Sequence, residues 1–229
     1  MDLSEVSRAI RRVVRRHKVA FDAIGYDQSK LLELAATTGF AEHYKSHGFG
    51  ISVVNPRGKG SFTVKTSTNG DPWNFSRIVA SRGAEAYEIH MNLKVRSAHD
   101  RGVYCVDIGV LPVDLIPAAK PKSAWNCLDN KHLITFAEVK KLVIFPMLLA
   151  QFVGIVHEVK PKFLSVQRRR KSPHPPPTLI ALGHYSGNST SIVRAYRSRY
   201  IHVLIAENYD VRLARVRAVP NTSPFAGND

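Results

Sequence analysis

Three residues near the middle of the chain have the types and the spacing needed for chemistry on a phosphate. Glu138 and Lys140 stand two positions apart in ITFAEVKK, residues 134–141, whose apolar residues predict a buried strand. Side chains two positions apart in a strand point to the same face. Asp107 lies at the centre of a second apolar run, VYCVDIGVL, residues 103–111. If these two strands are neighbours, two carboxylates and one ammonium converge at one place in the sheet.

A carboxylate inside an apolar strand needs an explanation, because an ionised group is costly to bury without a partner. One interpretation is structural, with Asp107 pairing with an arginine or capping a turn. The other interpretation is catalytic. Two carboxylates with free oxygens can bind a hard divalent cation such as Mg²⁺ together with water and a substrate phosphate. A lysine beside them can hold a water molecule or neutralise charge on phosphorus. Asp107, Glu138 and Lys140 are therefore the parts needed to hydrolyse a phosphodiester.

The surrounding sequence predicts a mixed α/β fold, with a central mixed β-sheet flanked by helices. The predicted helices cover residues 29–46, 146–159 and part of 186–200, and the predicted strands cover residues 49–54, 61–67, 86–95, 103–111, 134–140, 178–183 and 200–207. Residues 75–82 fit either type. The turn NPRGKG predicts a hairpin between the first two strands. Alternation in residues 86–95 predicts one buried face and one polar face. Strands alternating with helices favour parallel pairing in the later half.

The chain divides into three predicted parts. Residues 1–28 are predicted to form a basic helix and a linker, residues 29–217 an α/β domain, and residues 218–229 a loose tail. The first residues lack the apolar core of a signal peptide. No apolar run reaches the about 20 residues needed to span a bilayer. With only two cysteines and no disulfide framework, we expect a cytoplasmic protein with no membrane partner.

The formal net charge of +15 favours a polyanionic partner, although a basic surface alone also fits a merely soluble protein. Three segments offer suitable contacts. A basic, proline-rich connection and a Gly/Ser-rich loop precede a helix in which arginines alternate with tyrosines. The candidate nucleic-acid contacts in these segments are Arg168, Arg169, Arg170, Lys171, Ser186, Arg194 and Arg197.

The pattern of Asp107, then 30 intervening residues, then Glu138-Val139-Lys140 at the end of an apolar strand resembles the PD-(D/E)xK nuclease superfamily. The resemblance covers most of residues 29–207. It implies a restriction-endonuclease-like core and Mg²⁺-dependent cleavage of nucleic acid, with Mn²⁺ as a substitute. Asp107 and Glu138 would hold the metal and Lys140 would complete the catalytic site. The family's additional glutamate on an early helix corresponds to Glu33, with Glu42 as the second choice.

Two functions follow as hypotheses. The first is a metal-dependent nuclease, expected to be an endonuclease acting on DNA rather than RNA, in prokaryotic restriction, mobile-element defence or repair. The alternative is a non-catalytic nucleic-acid-binding or assembly subunit on the same fold. The intact acidic pair argues against the alternative, because carboxylates repel phosphates. Sequence preference and the choice between a homodimer and a partner protein are left open by the residues.

Overall fold

The computed structural model describes residues 28–60, 62–121, 125–165, 172–183, 189–207, 209–210 and 215–216. The predictions for the N-terminal helix, the basic residues Arg168 to Lys171, Ser186 and the tail lie outside these residues. The described helices are α1 (Gln28–Ser46), α2 (Pro146–Val159), α3 (Lys162–Ser165) and α4 (Thr190–Arg199). The described strands are β1 (Gly50–Val54), β2 (Arg77–Arg82), β3 (Glu85–Arg96), β4 (Val103–Pro112), β5 (Thr135–Lys140), β6 (Thr178–Ala181), β7 (Leu204–Ala206), β8 (Tyr209–Asp210) and β9 (Arg215–Val216). Single 3₁₀ turns occupy Pro72–Asn74 and Asn130–His132.

Strands β1 to β7 form one seven-stranded sheet in the order of the sequence. Every neighbouring pair from β1 to β5 is antiparallel, whereas β5, β6 and β7 are parallel. Helix α2 lies in the crossover from β5 to β6, and α4 lies in the crossover from β6 to β7. The predicted mixed sheet flanked by helices is therefore confirmed, including the parallel pairing of its later half. None of the helices in the described part of the chain has the length and hydropathy needed to cross a bilayer.

The two faces of the sheet carry separate apolar clusters. One cluster joins α1 to residues such as Ala137 and Val139 of β5, and the other joins α2 to Phe136 and to Leu179 of β6. Helix α1 is buried along most of its length, with Phe40 and Tyr44 fully buried. A helix that is covered nearly all round belongs to a protein interior. The sheet is thus covered on both sides, and polar groups between its strands lie in a largely dry environment.

The alternation of faces reverses in the middle of the hairpin formed by β3 and β4. Ile89 and Met91 belong to the cluster with α1, but Leu93 and Val95 belong to the cluster with α2. Regular alternation would have put all four on one face. The reversal falls at Asn92, whose backbone adopts a left-handed conformation with φ of 49°. No residue is inserted, since Met91 still pairs with Ile108 and Leu93 with Val106.

Two predictions about the early strands are wrong. Strand β1 pairs with β2 and not with residues 61–67, which form no ladder in their described part. Residues Phe62 and Val64 instead pack into the cluster with α1. The predicted polar face of residues 86–95 is also not exposed, because Glu88 and His90 are buried and bonded to each other at 2.8 Å. Arg77 of β2 also donates to Oε1 of Glu88 at 2.7 Å, so side chains that the alternation alone assigned to solvent are paired in the interior.

Candidate active site

The candidate site lies where β4 and β5 separate. The two strands pair from Val110 with Thr135 to Ile108 with Ala137, and the next positions in that register are Asp107 and Glu138. The backbone ladder stops there. The Asp107 side chain takes its place, because the backbone N–H of Val139 donates to Oδ2 of Asp107 at 2.7 Å. A carboxylate that accepts this bond stays between the two strands instead of turning to either face.

Lys140 joins the two carboxylates. Its Nζ donates to Oδ2 of Asp107 at 3.1 Å and to Oε2 of Glu138 at 3.0 Å. Burial lowers the pKa of Lys140, but the charges of Glu138 and Asp107 outweigh burial and raise that pKa above its ordinary value. Lys140 is therefore protonated at neutral pH. The predicted convergence of these three side chains is present, and no arginine of the described residues takes part in it.

The site is most exposed to solvent at Lys140 and least exposed at Glu138. The exposed fractions of the side chains are 34% for Lys140, 16% for Asp107 and 5% for Glu138. Burial and the charge of Asp107 raise the pKa of Glu138 to about 7. Oε1 of Glu138 is buried and has no hydrogen-bond partner among the described residues. An unpaired buried acceptor is unfavourable and calls for an explanation in function or in an unseen ligand.

Glu33 approaches the same site from α1. Its Oε1 accepts from Nζ of Lys30 at 2.6 Å, and its Oε2 accepts from Nδ2 of Asn92 at 3.0 Å. Burial, and to a smaller extent the negative charge of Asp107, raise the pKa of Glu33, so the two carboxylates are near enough to repel each other. Glu42 lies nine residues further along α1, which is about 13 Å of helix, and is half-buried. Of the two predicted glutamates, Glu33 is the one beside the cluster.

Asn92 and Lys65 belong to this site and were not predicted. Nδ2 of Asn92 also donates to the backbone carbonyl of Lys65 at 2.9 Å, and Nζ of Lys65 donates to the backbone carbonyl of Asn92 at 2.7 Å. Lys65 is buried, and burial lowers its pKa. These bonds fix the left-handed backbone at Asn92 and through it the position of Glu33. In the sequence, Asn92 looks like one more exposed residue of an alternating strand, so only its place opposite Asp107 could have singled it out.

The predicted contacts on α4 have different surroundings. Arg194 is exposed, as a residue that contacts a polyanion should be. Arg197 is half-buried, and its guanidinium donates to Oε1 of Glu207 and to the carbonyl of Ile205, each at 3.2 Å. Arg197 therefore stabilises the packing of α4 on β7, and its prediction as a free nucleic-acid contact is not supported by this geometry.

The donor set at the site fits a hard divalent cation. Hydrogen bonds within the described residues use Oδ2 of Asp107 and Oε2 of Glu138, so each carboxylate keeps one oxygen for another ligand. Among the described residues no group of three or more His, Cys, Asp or Glu side chains is arranged to hold a metal ion. Mg²⁺ is typically bound by only one or two carboxylates, with water and substrate phosphate as the other ligands.

Comparisons of the chain with protein-family models, with curated proteins and with solved structures found no match. The resemblance to the PD-(D/E)xK nucleases therefore stays a prediction, and the function is argued from the site itself.

Proposed function

We propose that this protein is a metal-dependent nuclease that hydrolyses phosphodiester bonds, with DNA as the favoured substrate. The observation that carries the proposal is the way in which hydrogen bonds are distributed over the carboxylate oxygens of the site. Lys140 neutralises one oxygen of Asp107 and one of Glu138, while the buried Oε1 of Glu138 has no partner in the part of the chain that the structure describes. A structural ion cluster would be expected to satisfy every buried oxygen. An acceptor kept unpaired in the interior is what a cation-binding site requires.

The charge of the molecule supports a polyanionic substrate. The chain carries a formal net charge of +15, yet its site concentrates carboxylates. Carboxylates alone would repel phosphate, whereas a bound cation would reverse the local sign and attract it. A cytoplasmic location is part of the proposal, since Cys105 and Cys127 are both free thiols.

Each residue has a role in the proposed reaction. Asp107 and Glu138 would hold Mg²⁺, or Mn²⁺ in its place, and the ion would supply an acidified water ligand and a polarised phosphate. Lys140 would donate a hydrogen bond to the attacking water or to the phosphate and would stabilise charge that develops on the phosphorus oxygens. Water adds to phosphorus, one P–O bond breaks, and the products are a hydroxyl and a phosphate monoester. Glu33, held by Lys30 and Asn92, would bind protons or water at the edge of the site.

A non-catalytic nucleic-acid-binding subunit is the second candidate, and one observation favours it. Lys140 forms ion pairs with both carboxylates, at 3.1 Å and 3.0 Å. A cluster of this kind also occurs as a purely structural element in proteins. On this reading the positive surface binds nucleic acid and the buried acidic residues only fix the strands.

The two functions are separated by incubation of supercoiled plasmid with the protein and Mg²⁺. We expect nicking or linearisation by the unmodified chain, and loss of at least a hundredfold in rate for Asp107→Ala and Lys140→Ala. The matched control is Lys141→Ala, because Lys141 is the exposed lysine next to Lys140. It removes the same charge one position after the end of β5 and should leave the rate within about twofold.

Cation binding is measured separately from cleavage. Mg²⁺ or Mn²⁺ should raise the melting temperature of the unmodified protein, since a ligand that binds only the folded state stabilises it. Glu138→Gln should abolish this rise. Plasmid binding without cleavage, together with a melting temperature that no divalent cation changes, would support the binding subunit instead.

A further inference from the structure

An exposed apolar segment lies directly beside the candidate site. Leu142, Val143, Phe145 and Met147, here called the apolar rim, expose 50%, 54%, 37% and 64% of their surface. They account for four of the six large hydrophobic residues that are exposed in the described part of the chain. Single exposed apolar residues are normal, but a contiguous group indicates a binding surface.

The apolar rim is fixed close to Lys140 by the chain itself. Leu142 follows Lys140 by two residues, a span of at most about 7 Å. The backbone N–H of Leu182 donates to the carbonyl of Lys140 at 3.2 Å, and Val143 packs so closely on Gly183 that a Cβ there would lie 2.8 Å from Cγ1 of Val143. The rim thus stands at the carboxyl ends of β5 and β6, the edge at which α/β sheets bind ligands.

Phe145 stabilises the helix that follows less than a residue with a capping side chain would. It occupies the N-cap of α2 and its side chain makes no capping hydrogen bond. Serine, threonine, aspartate or asparagine at this position would accept a bond from a free N–H of the first turn. An exposed phenylalanine at an N-cap, next to Pro146 and Met147, is therefore better explained by contact with a ligand than by stability.

The charge of the molecule indicates which ligand fits. A second copy of the chain would bring another +15 charges against the same face, which disfavours self-association. Nucleic acid combines negative phosphates, which suit Lys140, with apolar base faces that suit the rim. Phenylalanine, leucine, methionine and proline are the side chains that proteins insert between base steps. In regular duplex the base faces are stacked and out of reach.

We propose that the apolar rim contacts the faces of unstacked bases next to the phosphodiester at Lys140. This inference rests on the proposed nuclease function and specifies its substrate. The preferred substrate is then nucleic acid whose bases are already unstacked at the cleavage point, such as a single strand or a duplex interrupted by a mismatch or bulge, and not a continuous duplex. Base stacking on protein side chains tolerates any sequence, so little sequence preference is expected.

The test uses the full chain in EDTA, so that binding is measured without metal-dependent cleavage. The probes are a DNA 20-mer containing 2-aminopurine, as a single strand and as a perfect duplex, with affinity read by anisotropy and stacking by 2-aminopurine fluorescence. The test variant is Phe145→Ser with Met147→Ser, in which the new serine at the N-cap protects the fold of α2. The control is Val53→Ser, because Val53 is 40% exposed on β1, four strands from β5 and about 19 Å away.

We expect the unmodified protein to bind the single strand more tightly than the duplex and to change the 2-aminopurine signal. The rim variant should lose about tenfold or more in affinity for the single strand, together with the fluorescence change, and should bind the duplex as before. Val53→Ser should behave as the unmodified protein. Equal affinity of the rim variant and the unmodified protein for the single strand would overturn the inference, while plasmid cleavage would still support the nuclease.

Two other results would also overturn it. If the unmodified protein sediments as a dimer and the rim variant as a monomer, the rim is an interface between copies. If the unmodified protein binds neither probe and cleaves no plasmid, the proposed function fails together with this inference.

Discussion

At the scale of single residues, Glu138 shows the cost of keeping a carboxylate ready for a ligand. The folded protein holds this side chain in a nearly water-free position, with the charge of Asp107 close by and with Oε1 unpaired within the described residues. Its pKa of about 7 means that the folded state prefers the protonated form. Such a position lowers stability at neutral pH, and function is the usual reason for retaining one.

Glu138→Gln is therefore predicted to stabilise the metal-free protein at pH 7. Folding raises the pKa of Glu138 from 4.5 to about 7. The protonated side chain therefore contributes stability to the folded protein below pH 4.5, and this contribution is lost as the pH rises through about 7. The loss at pH 7 corresponds to roughly 3 kcal/mol, which the neutral glutamine does not suffer. Urea unfolding in EDTA should give the variant the higher free energy of unfolding at pH 7 and nearly equal values at pH 4. A variant less stable at both pH values would contradict the raised pKa.

The residues of the site differ in how far the sequence could predict them. The period of two in a strand fixes the shared face of Glu138 and Lys140, and the apolar run around Asp107 indicates its burial, so all three could be predicted. Lys65 and Asn92 could not. Their importance depends on bonds between a loop and a strand 27 positions apart, which no local pattern records.

At the scale of elements, an irregularity in the hairpin of β3 and β4 positions the residues of the site. The left-handed residue Asn92 reverses which face the following residues occupy, so Leu93 packs beside Gly109 on the α2 side. A side chain at Gly109 would meet Cδ2 of Leu93 at 2.6 Å, which accounts for the glycine. Backbone irregularities of this kind are over-represented beside active sites. Here the irregularity lies opposite Asp107 and directs Asn92 to Glu33.

Two substitutions at Asn92 are predicted to separate the contribution of its left-handed backbone to stability from the contribution of its side-chain hydrogen bonds. Asn92→Gly and Asn92→Ala both remove the bonds from Nδ2 to Glu33 and to the carbonyl of Lys65. Glycine adopts positive φ freely, whereas alanine does not. The alanine variant should therefore be less stable than the glycine variant by about 1 kcal/mol, measured by urea unfolding at pH 7. Equal stability of the two variants would mean that the left-handed backbone is not maintained in solution.

The wrong pairing of β1 shows what a local pattern leaves undecided. Residues 61–67 and β2 both contain alternating β-forming side chains, and the turn NPRGKG favours the nearer partner. The structure selects β2. Ser76 fixes the intervening loop, because its Oγ accepts from the N–H of Thr63 at 2.7 Å and donates to Asn55 at 2.8 Å. The choice depends on these contacts and on burial of Phe62 against the cluster with α1, both of which are tertiary. The parallel pairing of the later strands could be predicted because a helix separates each strand from the next, although the last strand begins at Leu204 and not at residue 200.

At the scale of the whole molecule, the chain is basic while its candidate site is acidic. This difference in charge is the feature that a nuclease would use. The chain is strongly basic, but the site is built from carboxylates with Lys140 as their counter-ion. A basic surface gathers polyanions over a distance of about 10 Å at ordinary salt. The acidic site then responds to the cation, since a bound cation would make it more attractive to a phosphate. Affinity and catalysis would thus respond to different solution conditions, salt for the first and divalent cation for the second.

The salt dependence of binding is predicted to reveal this basic surface. The logarithm of the association constant for a 30-base-pair duplex in EDTA should fall linearly with the logarithm of salt concentration, and six phosphate contacts would cost about a thousandfold between 50 and 200 mM. Arg194→Gln should reduce the slope by about one, as expected for one lost phosphate contact. Arg197→Gln is the matched control on the same helix. Because Arg197 is bonded to Glu207 and Ile205, it should lower the melting temperature and leave the slope unchanged. A slope near zero for the unmodified protein would show that its positive charge serves some purpose other than binding nucleic acid.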